Sequence, residues 1–230
     1  MVRKSWRARA RFASTTIRKI SWSTSMSSAS VRAPRARTPW SHNLHFHRWL
    51  LDRVPVPCEN ALDAGCGEGP LTPKLAARAG HVVGIDRSPE MIAMARQNAT
   101  RDNITYVAGD LLTHPLPLED FDFIAAVAVI HHAPFEMVMN RFASLLRRGG
   151  VLAVVGLALN RSPVDYAYSA LSVPVSRVAR LRRGWWTTSA REIDPEMTFA
   201  QIRRAARTQL PGVELRRRLY FRYTLLWRKP

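Results

Sequence analysis

The sequence ALDAGCGEG, from Ala61 to Gly69, places three glycines at alternate positions directly after a short apolar run that contains an acid. Glycine adopts left-handed backbone conformations at little cost, and it lets a ligand approach the main chain without an intervening Cβ. The stretch is typical of a loop between a strand and a helix. Two interpretations follow from it: a cradle for a nucleotide-like ligand, or only a tight turn.

Strand-like and helix-like segments alternate on both sides of this loop. A further helix begins after Ser41, which we expect to be its N-cap. The repeated βαβ order predicts an α/β, doubly wound, Rossmann-like and mainly parallel sheet with helices on both faces. The predicted strands are 61–64, 81–85, 104–108, 121–129 and 151–157, and the predicted helices between them are 70–79, 89–99 and 134–146.

Three acids follow or end the first three predicted strands. They are Asp63, Asp86 and Asp110. The carboxyl ends of parallel strands meet at one edge of a sheet, where such folds bind ligands, so these carboxylates are expected at a common rim. A dinucleotide fingerprint would need a glycine at the sixth position counted from Gly65, and Pro70 stands there instead. The pattern therefore favours a nucleoside ligand other than NAD.

Four motifs in order carry a family resemblance: LDAGCGEG, GIDRSPEM, VAGDLL and FDFIAAVAVIHH. With them, residues 42–230 resemble the class I S-adenosylmethionine-dependent methyltransferases, and in particular the branch that acts on small molecules. The resemblance implies a seven-stranded sheet with a C-terminal antiparallel hairpin. The alternating residues of VELRRRLY and FRYTLLWRKP, near the C-terminus, fit such a hairpin.

The resemblance also implies S-adenosyl-L-methionine as the cofactor. It places the methionine part of the cofactor at the glycine loop, the ribose hydroxyls on Asp86, and the adenine ring beside Asp110. The expected cofactor-binding residues are Asp63, Gly65, Gly67, Asp86, Met91, Asp110 and Leu111.

The segment AVIHHAPFE supplies the candidate catalytic residues, His131 and His132. Methyl transfer depends mainly on alignment, and a general base is needed only when the nucleophile must lose a proton. Either histidine could be that base, or the pair could only brace the loop. Nucleic-acid amino-methylating relatives usually carry an Asn/Asp-Pro-Pro-aromatic motif here, and its absence favours a small-molecule acceptor with an O, N or C nucleophile.

Residues 1–40 contain ten Lys and Arg and no acid, with no apolar periodicity, so we predict a disordered basic extension before a methyltransferase domain at 41–230. The extension could be dispensable, a transit peptide or a basic arm. Residues 41–160 carry ten basic against twelve acidic residues, which makes nucleic acid an unlikely partner. The function could still be that of a non-catalytic binding protein, or of a methyltransferase tethered to nucleic acid or membrane by its basic arms.

Cysteine usage and hydropathy point to a cytoplasmic protein with no membrane span, since there are two cysteines and only short apolar runs. No metal site is expected, because the spacing of His42, His45 and His47 does not place all three on one helix face. Acceptor contacts are predicted from a lid or substrate insertion at about 160–211 and from the N-terminal helix lying over the site. The aromatic residues of the insertion could line an acceptor pocket or pack the lid's own core: Tyr166, Tyr168, Trp185 and Trp186.

Overall fold

The computed structural model of the chain describes residues 40–183 and 194–230. The predicted disorder of residues 1–39 lies outside these ranges and stays a prediction, and Trp185 and Trp186 lie outside them as well. Trp40 was assigned to the disordered extension, yet it is described and only 3% of its surface is exposed. The packed chain therefore begins no later than Trp40.

One seven-stranded sheet organises the described residues, with the strand order β3-β2-β1-β4-β5-β7-β6. Strands β1 to β5 pair in parallel, whereas β7 pairs antiparallel with both β5 and β6. The predicted fold class, including the C-terminal hairpin, is confirmed. The strands are β1 (Asn60–Ala64), β2 (His81–Asp86), β3 (Ile104–Ala108), β4 (Phe121–Val127), β5 (Leu146–Gly156), β6 (Glu214–Arg218) and β7 (Arg222–Arg228).

Seven α-helices and one 3-10 turn are described around this sheet. Local signals start several of them: Ser41 and Ser88 accept a hydrogen bond from the backbone amide three residues later, and Thr198 forms a capping box with Gln201. The helices are α1 (His42–His45), α2 (His47–Leu51), α3 (Thr72–Leu75), α4 (Pro89–Gln97), α5 (Phe135–Leu145), α6 (Pro163–Arg183) and α7 (Phe199–Gln209), and the 3-10 turn is Ile130–His132.

The largest differences from the sequence prediction concern three elements. The N-terminal helix is split in two, because the chain turns at Phe46, whose amide bonds back to the carbonyls of Asn43 and Leu44. The helix predicted at 70–79 is the single turn α3. Strand β5 begins five residues earlier than predicted, since Leu146 already pairs with Phe121 ahead of an irregularity in the ladder.

Apolar side chains cover both faces of the sheet. Along β5, Leu152 and Val154 point to the face covered by α5 and α7, whereas Ala153 and Val155 point to the face covered by α2 and α3. This alternation is what a central strand buried on both sides requires. No helix of the described residues is both long and apolar enough to cross a membrane.

The position of β1 determines where a ligand can bind. The chain passes from β1 to β2 and β3 on one side, and to β4 and β5 on the other, so the order reverses at the β1/β4 pair. The loops that leave the carboxyl ends of these two strands diverge and open a crevice between them.

Asp122 is the second residue of β4. It fixes the pairing of β4 with β1 at the amino ends of these strands, away from the crevice. Its side chain is 1% exposed, and its Oδ2 accepts hydrogen bonds from the backbone amides of Glu59 and Asn60 at 2.7 and 2.9 Å. Arg147 forms an ion pair with the other carboxylate oxygen. One carboxylate thus ties β1 and β5 to β4.

Asp122→Ala is expected to lower the free energy of unfolding by about 2–4 kcal/mol, because two backbone amides lose their acceptor. Urea denaturation followed by circular dichroism measures this change. Asp120→Ala is the matched control, since Asp120 is exposed and its carboxylate accepts a hydrogen bond from the Asn60 side chain and not from a backbone amide. Equal stability of the two variants would contradict the assigned role of Asp122.

Candidate functional site

A cavity of about 790 Å³ lies at the carboxyl ends of β1, β2, β3 and β4. Eight of the nine residues predicted for the cofactor and for catalysis line it. Gly67 does not, although its backbone amide bonds to the lining residue Asp86. The eight are Asp63, Gly65, Asp86, Met91, Asp110, Leu111, His131 and His132.

The glycine loop folds tightly against the end of β4. Gly65 has a φ of +69°, and a Cβ built on it would lie 2.3 Å from Cγ2 of Val129. Gly67 has a φ of +54° and open space where a Cβ would stand. Position 65 therefore requires glycine for space and for conformation, and position 67 for conformation. The loop is a tight turn that also leaves room above its backbone.

Asp86, the last residue of β2, holds this loop in place. Its Oδ2 accepts from the amide of Gly67 at 3.0 Å and its Oδ1 accepts from the amide of Ser88 at 2.9 Å. A carboxylate offers about four acceptor positions, so two remain for a ligand. The carboxylate can thus shape the loop and accept from the two hydroxyls of a ribose.

Asp63 differs from the other two acids because it is buried beneath the loop. It is 2% exposed, and its Oδ2 accepts a 2.7 Å hydrogen bond from the hydroxyl of Thr72, at the start of α3. Burial is the main cause that raises the pKa of Asp63 from 3.8 to about 7; the Thr72 hydrogen bond opposes this shift, and the nearby Asp86 carboxylate adds to it. Its contacts are those of a residue that joins β1 to α3.

Asp110 and Leu111 form the turn that follows β3. Asp110 accepts from the amide of Leu112 at 2.8 Å. Arg141 of α5 donates to the carbonyls of Leu111 and His114, at 3.1 and 2.6 Å. The Asp110 side chain and Arg141 together fix the conformation of this turn. In this conformation the Asp110 carboxylate and the Leu111 backbone lie at the cavity.

The two candidate catalytic histidines lie on the 3-10 turn after β4, with ring centroids 4.2 Å apart. Ala128, between β4 and this turn, has a φ of +54° and donates its amide to the carbonyl of Val155 at 2.8 Å. This backbone conformation directs the turn toward the cavity. Burial lowers the pKa of His132, and the Arg87 charge lowers it further. At neutral pH His132 is therefore neutral and able to accept a proton.

The N-terminal helices form part of the cavity wall, as expected for a helix lying over the site. His47 of α2 lines the cavity and is buried, and its Nδ1 accepts from Nζ of Lys74 at 3.0 Å. Burial, with the Lys74 charge, lowers the pKa of His47 to about 3. His42 of α1 also lines the cavity. Within 40–183 and 194–230 no group of three metal-ligating side chains occurs.

The hairpin tip between β6 and β7 contributes an unexpected part of the wall. Phe221 and Arg222 line the cavity, and Arg222 donates through Nε and Nη2 to Oδ1 of Asn43, at 3.1 and 2.8 Å. A local sequence pattern cannot predict this contact, because Asn43 and Arg222 are 179 residues apart.

The predicted role of the 160–211 insertion is wrong for its described tyrosines. Tyr166 and Tyr168 lie on α6, are 61% and 39% exposed, and do not line the cavity. Among the described residues of the insertion, Asp194 is the one that lines it. Helix α6 instead turns small polar side chains inward, which leaves its tyrosines on the outer surface.

Known proteins resemble both the sequence and the fold. A family model described as a methyltransferase domain matches residues 62–154. An uncharacterized methyltransferase of Mycobacterium tuberculosis is 29% identical over 193 residues, which cover 84% of this chain and 98% of that protein. A ribosomal protein L11 methyltransferase of Dechloromonas aromatica is 35% identical over 139 residues, 60% of this chain and 45% of the relative.

Among solved structures, a magnesium protoporphyrin IX methyltransferase from Synechocystis PCC 6803 with bound S-adenosylhomocysteine shares the fold. It superposes with a TM-score of 0.53 at 21% identity, covering 81% of this chain and 80% of that one.

The buried Asp63 should make stability depend on pH. Because its pKa is raised on folding, the folded state binds this proton more tightly, and its contribution to the unfolding free energy falls as the pH rises from about 4 to about 7. Asp63→Asn does not titrate, so its stability relative to the wild type should increase over the same range. Urea denaturation of both ligand-free proteins across this range measures the difference.

The exposed Asp102→Asn is the control for Asp63→Asn, and its stability relative to the wild type should not change with pH. A difference between Asp63→Asn and the wild type that stays constant from acid to neutral pH would contradict the raised pKa.

Proposed function

The chain is a class I S-adenosylmethionine-dependent methyltransferase, and we propose that its acceptor is a small molecule methylated on an oxygen, nitrogen or carbon atom. The observation that carries this proposal is the shape of the cavity. It is open to a nucleoside along the strand ends, and its remaining wall is formed by α1, α2 and the hairpin tip. Its volume of about 790 Å³ lies within the range of small-molecule sites.

The cofactor of this family is S-adenosylmethionine, and the residues at the strand ends fit it. We assign the ribose hydroxyls to Asp86, the adenine amino group to Asp110, and the adenine ring to the backbone of Leu111. Met91 is buried at the start of α4 and lines the cavity, so it can pack on the nucleoside. The open space above Gly67, together with Gly65, suits the methionine part.

The cofactor supplies an electrophilic methyl group on a positively charged sulfur. The chain's own contribution is to align the nucleophile and, where the nucleophile carries a proton, to remove it. We propose that the His131–His132 turn does the second task, because both rings line the cavity and His132 is neutral at pH 7. In that role the ring accepts the proton of the acceptor at a free nitrogen lone pair.

Two features favour a small acceptor over a macromolecule. Residues 131–135 read HHAPF, without the Asn/Asp-Pro-Pro-aromatic motif typical of nucleic-acid amino methylation. Asn43 and Arg222 also line the cavity, and their hydrogen bonds join the N-terminal helix to the hairpin tip. A cavity wall fastened in this way suits a free metabolite better than a residue within a folded protein.

Transfer of a radiolabelled methyl group tests the proposed acceptor class. The full chain is incubated with S-adenosylmethionine labelled on the methyl group and with a cell extract separated into metabolites, protein and nucleic acid. We expect the label in the metabolite fraction. Label in protein or nucleic acid alone would contradict the proposal, and cofactor binding without transfer to any fraction would favour a non-catalytic binding protein.

His132→Gln is expected to lower the rate of label transfer by about 10²- to 10⁴-fold, if the acceptor must lose a proton, while cofactor affinity stays unchanged. Glutamine keeps the size and polarity of histidine but cannot accept the proton. His131→Gln, made in parallel, identifies which ring is the base. Full transfer activity in both variants would show that the pair only braces the turn.

Asp86→Asn is expected to weaken S-adenosylhomocysteine binding roughly 10- to 100-fold, because one charge-assisted hydrogen bond to the ribose is lost. Isothermal titration calorimetry measures the dissociation constant. Because Asp86 also holds Gly67 and Ser88, the melting temperature without ligand must be measured as well. Normal affinity in a destabilised variant would mean that Asp86 only shapes the loop.

A further inference from the structure

Helix α6, Pro163–Arg183, is packed with its polar side inward. The side chains that it buries are Asp165, Ser172 and Ser176, at intervals of seven and four residues. Ser172 accepts from the amide of Tyr220 at 3.0 Å, and Ser176 lies 3.1 Å from Nε2 of His42. These small polar groups fasten the helix to the domain through hydrogen bonds.

The outer surface of the same helix is apolar. Five side chains at intervals of three and four residues form one stripe along it, and the most exposed of them, Leu171, has 61% of its surface accessible. Isolated exposed apolar residues are common, but a continuous row along a helix marks a docking surface. The apolar stripe of α6 consists of Val164, Tyr168, Leu171, Val175 and Val178.

Basic residues accompany the stripe at the C-terminal end of the helix. Arg177, Arg180 and Arg182 are all exposed. The one acid of α6, Asp165, is buried and forms an ion pair with Arg217, which is part of β6. The exposed surface of α6 therefore combines apolar side chains with positive charge and presents no carboxylate.

We propose that α6 docks this protein on the surface of an anionic lipid bilayer. An exposed helix surface that combines apolar side chains with arginines and presents no carboxylate is the pattern of helices that lie in the membrane interface, with apolar side chains among the acyl chains and cations among the headgroups. The helix lies on the membrane and does not cross it, which agrees with the lack of a membrane-spanning helix in the described residues.

Charge complementarity favours the bilayer over the other possible occupants of the stripe. A second copy of α6 carries the same positive charge and offers no exposed carboxylate to pair with it. Residues 1–39 carry ten Lys and Arg and no acid, so this segment would be repelled by the same arginines. Anionic headgroups are attracted to them.

Docking through α6 would place the cavity beside the membrane. Ser176 contacts His42, which lines the cavity. Ser172 contacts the backbone of Tyr220, and the residue after Tyr220, Phe221, also lines the cavity. The docking itself does not rest on the proposed function.

Vesicle co-sedimentation of the full chain tests the proposal. We expect binding to vesicles of phosphatidylcholine mixed with phosphatidylglycerol, and much weaker binding to phosphatidylcholine alone. The double variant Leu171→Ser/Val175→Ser should bind the mixed vesicles about tenfold less tightly or worse. Arg177→Gln and Arg182→Gln should each reduce the affinity about fivefold.

Met137→Ser is the matched control, because Met137 is an apolar side chain on α5 that is 54% exposed and outside the stripe. It should bind vesicles as the wild type does. Equal melting temperatures establish that the stripe variant is folded, and Val178→Ser is the second variant if it is not.

Three outcomes would overturn the proposal: no binding of the wild type to anionic vesicles, unchanged binding of the folded stripe variants, or a wild-type dimer in solution that the stripe variants abolish. Because vesicle binding needs neither cofactor nor acceptor, a failure here leaves the proposed methyl transfer standing, and a failure of methyl transfer leaves docking standing.

Discussion

The hydrogen bonds that the Asp86 carboxylate accepts from Gly67 and Ser88 are the interaction on which the site depends. They join the glycine loop after β1 to the turn after β2, so the two loops form one rim. Without these two hydrogen bonds, the glycine loop would not be held in the conformation that leaves space above Gly67. The same carboxylate keeps acceptor positions that these two amides do not use, and in the proposed cofactor site the ribose hydroxyls would donate to them.

The three acids predicted as one ligand set have different positions in the structure. Asp86 and Asp110 stand at the rim, where each also fixes a backbone turn. Asp63 is buried with Thr72 and holds its proton up to about neutral pH. A raised pKa lets an acid sit below the loop without a buried negative charge, which would otherwise repel Asp86.

The mainly parallel sheet and the rim residues could be predicted from the sequence because each depends on local pattern. The glycine spacing, the acids at strand ends and the Ser88-Pro89 helix start are all readable within a few residues. The sequence also predicted the N-terminal helix over the site, but the individual contacts of His47 and Arg222 could not be predicted, since they join distant parts of the chain. The position of the α6 tyrosines was not predicted correctly. Their aromatic rings suggested a pocket lining, whereas serines form the buried face of this helix.

Titration calorimetry with S-adenosylhomocysteine and with NAD, on the full chain, tests the central claim most directly. The Asp86 rim and the open glycine loop predict saturable binding of S-adenosylhomocysteine with one site per chain. They predict no measurable heat with NAD, because Pro70 stands where a dinucleotide loop needs glycine. Tight NAD binding with no response to S-adenosylhomocysteine would contradict the account.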